Sequence, residues 1–462
     1  MKLVTGIFAG CAAAVIGGCS SPSYPATMRG VKEQIEKDIS AVPVPDGIPD
    51  NLLQCEETGR LLQIKGDWAG SSKMYRAAMG LGKYKFEEEP EISITDKTRH
   101  LVASTFGNDL QLDYFPSTFE QMMLHTLDAF NCLAQGAHDD FGINIRYIEA
   151  WRNEAKIHID EESLICSTGK VSVSYGEQQH QAAPSMVKSS YDNTYALYLS
   201  ALYREIQGDG ENAALAYRDI AKILGSNAAK AVLPSTFRIP GDMGEVVVFF
   251  ENGFIPEKSE RHVNVQGGGL VNVKTAIPKY APFINMQSRA KREPLVIAEG
   301  SAEIGRTKFL CDLAELAAKT LDEDMNGIIA RGRVRNVLQT TLQTTLTAAD
   351  YGAMAASSAG AKVGWAGPII SAGRLSSYIW QDSSERADLR SWLLLPRSVQ
   401  VGRFQMKPGK HTLTLSSGEK TMEVVADVKP GQKTIVYCIA IPGVMQAFSA
   451  NVGKNASNNY RR

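Results

Sequence analysis

The sequence predicts an α+β protein: an N-terminal array of helical hairpins, then a mixed β and helical region that ends in a small antiparallel β-sandwich. Three observations carry this. Apolar residues recur at helical spacing between about residues 52 and 234. Two stretches in that region, GDWAGSSKMYRAA (66–78) and GDGENAALAYRDI (208–220), repeat one pattern. After Pro234 the period changes to alternation, punctuated by Gly and Pro-Gly turns. The chain then divides into a leader (1–18), a segment with one short helix (19–50), the helical array (51–234), a β-rich segment (235–300), a helical segment (301–388), an antiparallel β module (389–450) and a flexible tail (451–462).

The leader comes first. An apolar run from Leu3 to Ile16 follows one positive side chain, Lys2. It is too short for a hydrocarbon core, which needs roughly 20 apolar residues. A short positive start, a short apolar core and small residues after it describe a secretory signal. Ile16-Gly17-Gly18-Cys19 resembles the bacterial lipobox, in which small residues precede a Cys that receives lipid before the leader is cut in front of it. Ile16 stands where that pattern usually has Leu. Cys11 follows Ala9-Gly10, but a cut there would leave an apolar core of about seven residues, at the short limit. The resemblance implies a covalent diacylglyceryl group on Cys19 and usually a third acyl chain, and two or more chains anchor stably. Ser20, where an Asp would retain the protein in the inner membrane under the enterobacterial sorting pattern, points to the outer membrane and its periplasmic face. Residues 20–30 read as an extended tether. A short helix at about 30–40 follows, set off from the body by AVPVPDGIPD (41–50).

The array begins with Leu52, Leu53, Leu61, Leu62 and Ile64 on one stripe. KGDW breaks that helix and a second starts near Ala69. The repeated pattern matches Gly66 with Gly208, Asp67 with Asp209, Ser71 with Ala213, Tyr75 with Tyr217 and Arg76 with Arg218. Gly ends the first helix, Asp caps the second, and a small residue lets the two approach while Tyr fills the space beside it. This spacing resembles the tetratricopeptide helix hairpin. A weaker third copy is GAHDDFGINIRYIEAW (136–151), behind the apolar helix TFEQMMLHTLDAFNCLAQ (118–135). The copies are unevenly spaced, so the array is irregular. Such arrays form a groove lined by one set of helix faces. Tyr191, Tyr195, Tyr198, Tyr203 and Arg204 are the candidate lining residues. Packing between helices is the alternative for the tyrosines.

Beyond Pro234, GEVVVFFENG (244–253), the two alternating halves of RHVNVQGGGLVNVKTAIP, and PLVIAEG read as strands. Helical periodicity is expected from about Ser301 to Gln381. Within it, Gly352, Ala356, Gly360 and Gly364 form a small-residue row that suits a buried or interfacial helix, or insertion in a membrane or pore. The stretch from Ser398 to Gly443 reads as four or five strands with Pro-Gly turns at 408–409 and 430–431. It is similar to the PEGA-type modules of envelope proteins.

Chemistry is sparse in the sequence. There is no Walker loop, H-E-x-x-H, G-x-S-x-G or dinucleotide fingerprint. SMVK (185–188) fits S-x-x-K without its companion motifs, so a polar loop is expected. HDD (138–140) sits at a hairpin corner, where Asp caps a helix. QGGGL (266–270) precedes a strand, which suits a hairpin tip better than a phosphate cradle. No catalytic residue, metal ligand or cofactor is assigned beyond the lipid on Cys19. The chain has 49 basic and 50 acidic residues, so charge makes no case for nucleic acid. After Cys19 there remain Cys55, Cys132, Cys166, Cys311 and Cys438. They have no metal spacing, and buried thiols are expected, with a Cys132–Cys166 bridge as the alternative.

Taken together, FEQMMLHTLDAFNCLAQGAHDDF, YALYLSALYREIQGDGENAALAYRDI, GEVVVFFENGFIPEKSE and ADLRSWLLLPRSVQVGRFQMKPGKHTL resemble a family of bacterial tetratricopeptide-like outer-membrane lipoproteins. The resemblance implies no enzymatic activity. It implies partners among envelope proteins, in the neighbourhood of peptidoglycan synthesis. The expected function is therefore a lipid-anchored interaction or scaffold protein. A periplasmic cell-wall hydrolase and a subunit of a secretion or pore-like assembly are the alternatives.

Overall fold

A computed structural model describes residues 23–87, 114–168, 189–266, 272–280, 293–325, 328 and 386–453. The architecture is mixed α+β, with helices in the N-terminal part and strands in the C-terminal part. Six helices pair as three consecutive hairpins: α2 (Leu52–Ile64) with α3 (Trp68–Glu87), α4 (Thr118–Ala134) with α5 (His138–Thr168), and α6 (Thr194–Gln207) with α7 (Gly210–Leu224). Neighbouring hairpins touch through α3 and α4 and through α5 and α6.

The hairpin turns follow from local chemistry. Each turns on a left-handed glycine: Gly66 at φ +83°, Gly136 at +71° and Gly208 at +82°. Side chains with a Cβ rarely adopt that conformation. Asp67 then accepts from the Gly70 amide (2.8 Å) and Asp209 from the Asn212 amide (3.3 Å), so the first and third copies are capped as the repeat predicts. Ala137 stands at that position in the middle copy. Ser71, Tyr75, Ala213 and Tyr217 are all buried. The Tyr75 ring lies where a Cβ on Gly59 would fall, 2.5 Å away, so the space it fills is on the partner helix.

The helical layer rests on a five-stranded sheet of order β11-β10-β1-β7-β6. Its strands are β1 (Gly244–Phe254), β6 (Lys308–Asp312), β7 (Pro396–Met406), β10 (Lys433–Ile441) and β11 (Val444–Val452). A second sheet, β5-β4-β8-β9, is built from β4 (Val296–Glu299), β5 (Ala302–Arg306), β8 (Gly409–Ser417) and β9 (Lys420–Val428). The period-two rule explains the layering. Val247, Phe249, Ile435, Tyr437 and Ile439 join the core beneath the helices. Their neighbours Val246, Val248, Phe250, Val436 and Cys438 join a second core with Leu413 and Leu415 of the other sheet. Both faces of β1 are buried, which is why it reads as a near-continuous apolar run. The hairpin of β2 (Lys258–Gln266) and β3 (Asn272–Tyr280) sends Ile277 and Tyr280 into the helix-side core.

Four expectations are corrected. The segments 235–300 and 389–450 are not separate units, because β1 lies between β10 and β7 and pairs with β10 in parallel. Alternation identifies a strand but does not name its partner. Residues 302–306 and 308–312 are strands, and helix begins only at 313; five-residue strands are too short for a helical period to be told apart. The first described helix, α1 (Tyr24–Asp38), starts well before residue 30, with Pro25 in its first turn. It buries Met28, Val31 and Ile35, an i, i+3, i+7 stripe. Finally, β11 runs to Val452, whose pairing with Lys433 carries regular structure into the expected tail.

Candidate functional site

The expected groove is where the chain's own sheet sits. The inner helices α2, α4 and α6 are buried along nearly their whole length. Tyr195 and Tyr198 are therefore core residues, which corrects their assignment as groove lining. Tyr195 donates to Glu251 (2.8 Å), and Tyr198 donates to the Val232 carbonyl (2.9 Å). Their rings pack on Phe249 of β1, with centroids 5.9 and 5.8 Å away. Tyr191 and Tyr203 are half-buried. Tyr203 crosses to α5, its hydroxyl 2.5 Å from where a Cβ on Gly142 would stand. Arg204 is partly exposed and holds Glu149 of α5 in a two-pronged pair (2.9 and 2.7 Å), with Asp209 also in reach at 3.4 Å.

Three polar clusters join the helices to the strands. At the centre, the Arg60 guanidinium of α2 pairs with Glu251 of β1, and both are fully buried. Arg60 also donates to the Leu394 carbonyl (3.2 Å) and the Tyr437 hydroxyl (3.1 Å), and it contacts Gln63. Gln63 donates to Asn131 (2.8 Å), which donates to Ser71 (2.8 Å), so the small repeat residue is also a polar anchor. At one end, Arg403 bridges Glu205 of α6 and Glu245 of β1 (2.8 and 2.7 Å), with Lys433 and Tyr217 completing the cluster. Here Tyr217 is tied into the sheet contact.

The third cluster is acidic. Glu57 of α2 accepts from the Leu393 and Leu394 amides (2.6 and 3.0 Å) and from the Tyr24 hydroxyl (2.6 Å). Burial pushes its carboxyl up to about 7, against those hydrogen bonds. Glu120 accepts from the Trp392 amide (2.9 Å). Glu56 is fully buried, and neither carboxylate oxygen has a partner among the described residues. Burial, with Glu120 and Glu57 nearby, holds it well above the usual carboxylate range.

Nucleophile chemistry has little support in these surroundings. Cys55, Cys132, Cys311 and Cys438 are buried free thiols. Burial pushes Cys55 and Cys132 up to about 12 and Cys311 to about 11, away from reactive thiolates. His125 is lowered to about 4 by burial and stands 3.0 Å from Asn144. In HDD, Asp140 pairs with Arg76 (2.7 Å) and joins the first two hairpins. Among the described residues no three His, Cys, Asp or Glu are placed to hold a metal ion, and no helix is long and apolar enough to cross a membrane. Cys19, SMVK, the glycines of QGGGL and the 351–373 row lie outside the described residues, as does the side chain of Cys166.

Sequence reasoning missed Arg60, Glu251, Arg403, Glu245 and Lys433. One signal was available: in GEVVVFFENG, Glu251 shares the phase of Val247 and Phe249 and so points into the core. Searches against protein-family models, characterised proteins and solved structures found no match.

Proposed function

We propose that this protein is an outer-membrane-anchored, periplasm-facing lipoprotein that acts as an interaction scaffold through a tetratricopeptide-like hairpin layer. The observation that carries the reading is the lipobox-like Ile16-Gly17-Gly18-Cys19 directly behind a short apolar leader. Three hairpins, each turning on a left-handed glycine and packed in sequence order, support the repeat-like part. Because the inner helices are covered by the sheet, the contact surface moves to the outer helices. Ile143 (41% exposed) and Tyr147 (48%) on α5 and Leu215 (51%) on α7 are large apolar side chains left in solvent there. Arg204 lies beside them through Glu149 of α5. Exposed aromatics with an adjacent Arg are typical binding anchors. The partner class is an envelope protein, in the neighbourhood of peptidoglycan synthesis.

The anchor is tested with Cys19→Ala, which should lose palmitate incorporation and leave the membrane fraction. Continued lipid labelling of that variant overturns the reading. Hydrolysis of purified peptidoglycan by the soluble form, lost on one side-chain change, would replace the scaffold with an enzyme.

A further inference from the structure

We propose that the end of the molecule around Tyr24 is a docking face for the phospholipid bilayer, held flush against it by a tether too short to let the body turn away. The proposal rests on the lipid-anchor reading of Cys19.

The argument starts from chain length. Regular structure begins at Tyr24, with Pro25 and Met28 of α1 already buried. Five Cα steps separate Tyr24 from Cys19, which span about 17 Å at full extension. A folded chain of this size has a radius of gyration of about 22 Å. The tether is thus shorter than the body's own radius, and Cys19 is fixed in the headgroup layer by its acyl chains. A longer leash, such as an extended 20–30 segment would have provided, would leave orientation free.

The N-terminal turn of α1 is itself immobilised. Tyr24 donates to buried Glu57, Arg29 pairs with Glu257 (2.8 Å), and Lys32 donates to the Ile255 carbonyl (3.3 Å). The residues around that turn suit a bilayer surface. Arg29 is 61% exposed. Lys258 follows Glu257 in the chain and donates to the Arg390 carbonyl (2.9 Å). Arg390 lies over the Tyr114 ring at 5.9 Å, and Phe115, next in the chain, is 47% exposed. Tyr114 feels the charge of Tyr24, which closes the circuit. Basic side chains and an exposed aromatic therefore ring the point where the tether enters. That is the composition that favours a headgroup interface.

The test uses the full lipidated chain with Cys166→Ser, bound to vesicles of phosphatidylethanolamine and phosphatidylglycerol that carry a headgroup-linked nitroxide quencher. A fluorophore is placed at Arg29→Cys or, toward the far end of α1, at Lys37→Cys. These positions lie about 12 Å apart along the helix. Vesicle flotation first reports the anchor: protein that fails to float overturns the lipid reading and the proposal with it. For floated protein, quenching at position 29 should exceed that at 37 several-fold. Inserting about 20 Gly-Ser residues after Ser21, a span of roughly 25 Å, should abolish most of that difference. Equal quenching at both positions, or unchanged quenching after the insertion, overturns the docking face while leaving the anchor intact.

Discussion

Helix α2 meets the rest of the chain at two places one turn apart, and the two are opposites. At Arg60 a buried cation meets a buried anion, Glu251, with Tyr195, Tyr437 and Gln63 supplying further hydrogen bonds. At Glu56 and Glu57 carboxyls accumulate, and Glu56 has no partner among the described residues. Burial is equal at the two places, so burial alone does not set the cost. Compensation does. The first junction should be insensitive to pH and intolerant of change. The second should respond to protons.

The largest effect comes from removing both junctions at once. The inner helices share one apolar core with β1, β7 and β10, and Phe130 of α4 stacks on Tyr437 of β10 at 4.2 Å. A fragment of residues 45–230, which sequence periodicity alone presents as a self-sufficient helical unit, should keep helical circular dichroism and lose cooperative melting. A sharp melt of that fragment would show that the helical layer does not depend on the sheet.

Next comes the paired junction alone. Arg60→Met leaves Glu251 buried without its cation and should cost about 3–5 kcal/mol. Adding Glu251→Leu should recover much of that loss in a thermal-melt cycle. Equal instability of the single and double variants would mean that Arg60 acts by shape and not by charge.

The acidic junction gives the pH test. Glu57 is raised to about 7 in the folded state, and Glu56 is raised further from the ordinary carboxyl value. A raised folded value means that the native state binds protons more tightly than the unfolded one. Stability from these groups is complete below an ordinary Glu value near 4.3 and is lost as pH rises through about 7. For Glu57 the difference is worth roughly 3 kcal/mol. Melting temperature should thus be higher at pH 5 than at pH 8. Glu56→Gln should raise the pH 8 value and flatten the curve. A wild-type melting temperature that climbs from pH 5 to pH 8 would contradict this assignment.

These junctions also mark where the sequence stops being readable. Hairpins were legible because Gly66, Asp67, Gly208 and Asp209 act on their immediate neighbours. Strands were legible in GEVVVFFENG and TIVYCIAI because alternation and β-branching are local. What joins them is not local: Arg60 and Glu251 are 191 residues apart, and β1 pairs with β10 across a similar distance. The tyrosines show the same limit. A stripe of Tyr195 and Tyr198 looks alike whether it lines an open groove or lies under a sheet, and only the topology decides. A smaller test lies in the local part. Gly59→Ala puts a methyl into the Tyr75 ring and should cost about 1–3 kcal/mol by overpacking, whereas Gly136→Ala, in open space, should cost only its left-handed backbone, about 1–2 kcal/mol.

The smallest effect on stability carries the most about function. Ile143 and Tyr147 lie on the outer face of α5, and exposed side chains away from caps and cores shift stability within about 0.5 kcal/mol. Tyr147 also stacks on His125 at 4.8 Å, which adds about 0.5–1.5 kcal/mol. The pair Ile143→Ser and Tyr147→Ala should therefore melt within a few degrees of wild type. Tyr195→Ala removes a ring from the core and should cost about 3–5 kcal/mol. If the scaffold reading is right, crosslinking in intact envelopes should lose its specific partner in the outer-face variant despite near-native melting. A conservative core change, Tyr195→Phe, should keep the partner while lowering the melt through the lost bond to Glu251. The reverse pattern, binding lost with Tyr195→Phe and kept with the outer-face pair, would return the contact surface to the inner helices and require the sheet to move aside.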